Sequence, residues 1–141
     1  MPDAAATTLA AGLSQLGVAA SPRAQRQLLD YLVLLQRWNK AYNLTAVREP
    51  VSMVQRHLLD SAAIIPHLPA AAERCVDVGT GAGLPGVPLA ILRPDLHLDL
   101  LDSNAKKTRF LFQVKTALGL DNMTILHSRA EGLRPGQSYD L

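Results

Sequence analysis

Between positions 77 and 86 the chain reads Asp77-Val78-Gly79-Thr80-Gly81-Ala82-Gly83-Leu84-Pro85-Gly86. Glycines at alternate positions after a short run with Cys and Val predict a strand that breaks into a tight turn at the carboxyl edge of a sheet. Positions without side chains expose backbone N–H groups there and let a ligand come close to the main chain. Asp102 follows about twenty residues later, at the predicted end of a second strand. A carboxylate there can accept hydrogen bonds from both hydroxyls of a ribose. The same residue could instead cap the helix after Ser103, and the two roles are compatible. For the glycines, the plain alternative is a strand-to-helix turn that binds nothing.

Two cofactors compete for this turn. Gly81, Gly83 and Gly86 satisfy the dinucleotide pattern G-x-G-x-x-G, but Pro85 inside that register removes an N–H from the helix start that should hold a pyrophosphate. The register that begins at Gly79 has Asp77 two positions earlier. A carboxylate at a strand end suits a cofactor carrying an ammonium and a sulfonium, so S-adenosylmethionine is favoured and an NAD(P)-binding oxidoreductase is the alternative. Ser128-Arg129-Ala130-Glu131 is expected at the same sheet edge after a third strand, where backbone groups of Ala130 and Glu131 could read an adenine. A surface loop is the alternative there.

The elements that position these residues divide near residue 70. Leu9, Leu13 and Leu16 predict a first helix stopped by Gly17. Ser21-Pro22 predicts an N-cap and first turn for a helix over 22–41, with Leu28, Leu32, Leu35, Trp38 and Tyr42 on one stripe. Residues 43–46 form a connector, and a third helix runs from Pro50 with Val51, Val54, Leu58 and Ile65 on one face. From Arg74 the pattern becomes strand (74–78), glycine turn, helix (87–92), strand (96–101), helix (104–118), strand (123–127), with a fourth strand beginning at Tyr139. This is a parallel α/β sheet, a Rossmann-like arrangement, with a helical extension over 1–70 and the sheet-bearing part over 71–141.

Composition narrows the function. The chain has 141 residues, 48% of them hydrophobic, and a formal charge of +2. That excludes a disordered chain, and a charge this small does not by itself imply nucleic acid. No apolar run approaches the length of a membrane span. The single cysteine, Cys75, excludes an internal disulfide framework and points to a reducing, cytoplasmic setting. Cys75 sits in a predicted buried strand, a poor place for a nucleophile. His67, His97 and His127 are scattered without ligand spacing, so no metal is expected. His57 and Asp60, three residues apart, are either a polar cluster facing cofactor or RNA, or a hydrogen-bonded pair fastening the helix. Lys106, Lys107, Arg109 and Lys115 lie in an acid-free stretch that is either a phosphate-contacting face or a solvated helix exterior. Trp38 and Tyr42 read as helix core.

Several segments together resemble the bacterial RsmG (GidB) methyltransferases: Trp38-Asn39-Lys40, Asn43-Leu44-Thr45-Ala46, Arg56-His57-Leu58-Leu59-Asp60-Ser61, Asp77 through Pro88, Leu101-Asp102-Ser103 and Ser128-Arg129-Ala130-Glu131. The resemblance implies an S-adenosylmethionine-dependent enzyme that methylates guanine N7 in 16S ribosomal RNA, in its 530 loop. It implies cofactor contacts at Gly79, Leu84, Ala130 and Glu131, beside Asp77, Gly81 and Asp102 from the residue chemistry. The implied partner is 16S ribosomal RNA or the small ribosomal subunit, met by a monomer with no membrane or metal. Guanine N7 carries a lone pair and no proton, so its methylation needs no general base, and no catalytic acid or base is assigned. The family's sheet has seven strands and this chain stops as the fourth begins. It is therefore expected to be an N-terminal part with an incomplete sheet, and the alternative is a non-catalytic RNA- or ribosome-binding remnant.

Overall fold

The computed structural model of the chain describes residues 3–129. Its elements in order are α1 (Asp3–Leu16), α2 (Pro22–Tyr42), α3 (Pro50–Met53), a π-helical turn (Val54–Leu59), α4 (Asp60–Ala62), a 3-10 turn (Ile65–His67), β1 (Arg74–Val78), α5 (Gly86–Leu92), β2 (His97–Asp102), α6 (Ala105–Leu118) and β3 (Met123–His127). The three strands pair in parallel in the order β1-β2-β3, with Asp77 opposite Leu100 and Leu100 opposite Ile125. Parallel neighbours need crossover connections, and α5 and α6 supply them. The fourth strand expected at Tyr139 lies outside the described residues.

The helix boundaries follow local chemistry. Ser21 accepts the Ala24 N–H at 3.0 Å and Pro22 opens α2. Gly119, at φ 65°, ends α6 in the left-handed region that favours glycine. Asn104 caps α6 by accepting from Lys106 and Lys107, so the cap is Asn104 rather than Asp102. Strand β2 runs one residue further than its apolar pattern suggested and takes in Asp102.

Alternation places Cys75, Leu98, Leu100, Met123 and Ile125 in the buried layer shared with α5 and α6. Helix α2 packs on both of these helices. Its Tyr31 and Trp38 rings lie 6.2 Å and 5.7 Å from the Phe110 ring of α6. One cluster of buried side chains thus runs from Ala5 to Ile125. The N-terminal helices share the core of the sheet, which is the main source of stability for a chain of this size.

The third helix departs from its expected form. It is regular only over α3, widens into the π turn, recovers for α4 and stops. Ile65 lies beyond its end, because Pro66 has no N–H to continue the ladder. The π turn carries His57, whose Nε2 sits 2.8 Å from Thr45 Oγ1. Buried Asn39 in turn accepts the Thr45 N–H at 2.9 Å. Asn43, at φ 51°, ends α2 and accepts from Arg48 Nη2 at 3.1 Å. Of the two readings of His57 and Asp60, the hydrogen-bonded pair gives way to a bond between His57 and the connector. The cause is geometric, since Thr45 reaches the ring and Asp60 is exposed.

Burial holds the His57 imidazole below its ordinary 6.5, opposed by the Arg56 backbone and the Asp60 charge. The unfolded chain then takes up this proton first as pH falls through 6.5, so stability drops until the lower folded value is passed. His57→Gln keeps a hydrogen-bonding group and removes that proton. Melting temperatures taken from about pH 7 to about pH 5 should fall less steeply in the variant than in the parent chain. Parallel slopes would show that another group carries the dependence.

Candidate functional site

The glycine turn folds back onto the end of β2. Gly79 and Thr80 both donate their N–H to the Leu101 carbonyl, at 2.8 Å and 3.1 Å. Gly81 donates to Asp102 Oδ2 at 2.9 Å. Gly83 and Leu84 donate to Thr80 O, Val87 to Gly83 O, and Gly86 to Asp77 Oδ2 at 3.0 Å. Pro85 has no N–H to give. Gly79, Gly81 and Gly83 have φ of 67°, 60° and 96°, the left-handed region in which other residues are strained. The turn that sequence reasoning expected to present bare amides instead spends those of Gly79, Thr80, Gly81, Gly83, Leu84 and Gly86 internally. The reason is that the segment lies against a buried strand end, where an unpaired N–H is costly.

Both acidic residues take part in this bracing. Asp77, half-buried in β1, accepts the Thr80 hydroxyl at 2.6 Å as well as the Gly86 amide. Burial pushes its carboxyl pKa up, the two hydrogen bonds pull it down, and the nearby Asp102 charge pushes it up again. Asp102 is 8% exposed, and its second oxygen accepts the Asn104 N–H at 2.8 Å. A carboxylate offers about four acceptor positions, and these two bonds leave two without a protein donor. From the other side, the buried Tyr31 hydroxyl donates to the Ala82 carbonyl at 2.6 Å. Burial, and then the Asp77 charge, push the tyrosine pKa far up and keep it a donor.

At the carboxyl ends of the strands lies a hollow of about 300 Å3, lined by Val78, Gly79, Leu101, Asp102, Ser103, Ser128 and Arg129. The Ser128 N–H donates to Asp102 O at 3.0 Å and His127 Nε2 lies 3.0 Å from Ser103 O, which ties the end of β3 to the rim. Of the residues named from sequence, Gly79 and Asp102 line this hollow. Asp77 and Gly81 stand behind it in the brace. Leu84 is partly buried against the core, its N–H on Thr80, and does not line the hollow. Ala130 and Glu131 lie outside the described residues. Val78 and Ser103 were missed. Their only signal is adjacency to a strand end, and Val78 being half exposed at a sheet edge has no counterpart in the hydropathy pattern.

The arrangement discriminates between ligands. A diphosphate needs N–H donors, and the helix start here has none free, because Gly86 and Val87 are bonded and Pro85 and Pro88 have no N–H. A cationic group needs acceptors and negative charge. Among the described residues no donor reaches the Gly79 carbonyl at the hollow, and two carboxylates stand close enough to interact. The residues present therefore fit a cofactor with a positive centre and a ribose. Cys75 is buried in β1, and the described residues contain no cluster of three or more groups able to hold a metal ion. No described helix is long and apolar enough to cross a membrane.

A parallel sheet with this turn and an acidic second strand end is the arrangement of a Rossmann-like nucleoside-cofactor fold. The profile of the GidB family, described as rRNA small subunit methyltransferase G, matches residues 24–141, and the chain belongs to that family. It is 58% identical over 135 residues to the ribosomal RNA small subunit methyltransferase G of Pseudomonas aeruginosa strain UCBPP-PA14, covering 96% of this chain and 63% of the relative. The protein of the same name from Pseudomonas entomophila strain L48 is 54% identical over 134 residues, covering 95% of this chain and 62% of the relative. The chain thus spans a little over three-fifths of the length of these curated relatives.

Gly86 is the tightest point of the site. A Cβ there would stand 1.8 Å from Leu100 Cδ2 and 2.9 Å from Asp77 Oδ2. Gly86→Ala should cost about 1–3 kcal/mol, read as a lower melting temperature by circular dichroism. An unchanged melting temperature would mean that α5 does not press on β2 as described.

Proposed function

We propose that this chain is the cofactor-binding part of a cytoplasmic, monomeric enzyme that uses S-adenosylmethionine to methylate guanine N7 in 16S ribosomal RNA. In this reading residues 1–70 are a helical extension and residues 71–141 begin the Rossmann-like domain. The observation that carries it is the balance of donors and acceptors at the turn: six of its amides are bonded internally, while the Gly79 carbonyl and the Asp102 carboxylate line the hollow with Asp77 close behind. Family membership and the names of the relatives support the substrate. The cofactor would supply an activated methyl group for in-line displacement.

Each residue then has a definite task. The Gly79 carbonyl and the field of Asp77 hold the positive end of the cofactor. Asp102 accepts the ribose hydroxyls with its two open positions. Gly81 keeps the Asp102 carboxylate in place through its amide. Ala130 and Glu131 contact the base and Leu84 packs near the cofactor, as the family resemblance implies. No side chain removes a proton from the target, because guanine N7 has none. The protein's contribution is orientation.

Calorimetry on the chain with S-adenosylhomocysteine and with NAD tests the cofactor. Heat with the former and none with the latter is expected, and binding of NAD alone would overturn the reading. Mass mapping of 16S RNA from cells with and without the gene tests the target. Loss of one N7-methylguanosine is expected, and an unchanged modification pattern would refute the substrate.

A further inference from the structure

The largest cavity among those described, about 520 Å3, lies away from the sheet edge, between α2 and the 43–49 connector. Its charged lining is Arg37, Lys40 and Arg48, and no carboxylate lines it. All three cations are exposed, and Arg48 is steadied by Asn43 Oδ1. The adjacent Glu49 carboxylate is turned to the Val51 and Ser52 amides of α3, so it does not neutralise the cavity. Among the described residues Arg37 and Lys40 have no ion-pair partner.

This cavity is not isolated. Arg37 also lines a second, open cavity of about 230 Å3 together with Trp38, Ala41 and Tyr42. Lys106 stands over the Tyr42 ring, its Nζ 5.7 Å from the centroid. Lys106 lies in the first turn of α6, three residues from Ser103, which lines the cofactor hollow. Positive charge therefore runs from Arg48 through Lys40 and Arg37, past the Tyr42 ring to Lys106, at the start of the helix that follows Ser103. The sequence suggested a basic face on α6 alone. Lys115 drops out of that face, because its ammonium donates to the Leu120 and Met123 carbonyls.

We propose that this track holds the phosphodiester backbone of a single-stranded RNA segment flanking the base presented to the hollow. The inference rests on the ribosomal RNA methyltransferase reading and adds the surface that the substrate strand follows. Exposed cations without carboxylate partners suit phosphates. A half-buried aromatic ring on the route suits an unstacked base. Lys106, three residues after Ser103 of the hollow, gives the strand a route toward the methyl donor.

The test measures binding of a fluorescein-labelled RNA hairpin with a guanine-containing loop to the full 141-residue chain, by anisotropy across a salt series. Arg37→Gln/Lys40→Gln is compared with Arg23→Gln/Arg26→Gln, an equal loss of exposed charge at the opposite end of α2. The track variant should bind about tenfold more weakly, with the slope of log K against log salt reduced by about 1.4, two contacts at about 0.7 each. The control variant should match the parent. Both variants should keep the parent's calorimetric affinity for S-adenosylhomocysteine. Equal weakening in both variants, no weakening in the track variant, or no RNA binding by the parent would each overturn the track. Failure of the parent to bind S-adenosylhomocysteine would instead count against the methyltransferase reading itself.

Discussion

Every backbone N–H in a turn that lies against a buried strand end must find an acceptor, and the choice of acceptor decides what the turn can bind. Here the Leu101 carbonyl takes two amides, Asp102 takes two, and Asp77 takes one with the Thr80 hydroxyl. These donors are spent in holding β1 to β2 and to the start of α5. What lines the hollow includes the Gly79 carbonyl and the Asp102 carboxylate as acceptors, with Arg129 also on its lining. A glycine turn of the dinucleotide type turns its amides outward to a phosphate. The same glycine spacing with two carboxylates folded into it presents the opposite polarity.

That brace depends on elements far away in sequence. Tyr31, from α2, reaches 51 positions along the chain to the Ala82 carbonyl. Its ring and that of Trp38 pack on Phe110 of α6. The helical extension is therefore continuous with the core that positions the turn. The connector after α2 is fixed in turn by Asn39, Thr45 and His57, each using a short polar side chain where the chain must bend between two helices. Asn39-Lys40 and Asn43-Leu44-Thr45 are two halves of one joint.

Charge is partitioned on the same scaffold. Negative groups gather at the strand ends, where the Asp102 charge helps push the Asp77 pKa up. Positive groups gather on α2, the connector and the first turn of α6. The formal charge of +2 conceals this separation. A small cationic cofactor and a polyanionic strand need opposite fields, and the fold keeps those fields on different elements that meet at Ser103.

The strand and helix order was legible in the sequence. Hydropathy period separates α2 and α6 from the strands, and Ser21-Pro22, Gly17 and Gly119 mark ends through local backbone chemistry alone. The acidic end of β2 was also legible, since Asp102 follows an apolar run. Three things were not. The amides of the glycine turn have internal acceptors only because β2 ends beside them. His57 bonds Thr45 only because a π turn and a connector meet. Lys115 is lost to two carbonyls that lie beyond its own helix. The sequence by itself determined which residues could bend, cap or carry charge, because those properties are local. Tertiary structure decided which donor met which acceptor, and so the polarity of the hollow, because hydrogen bonding between distant segments depends on positions that only packing sets.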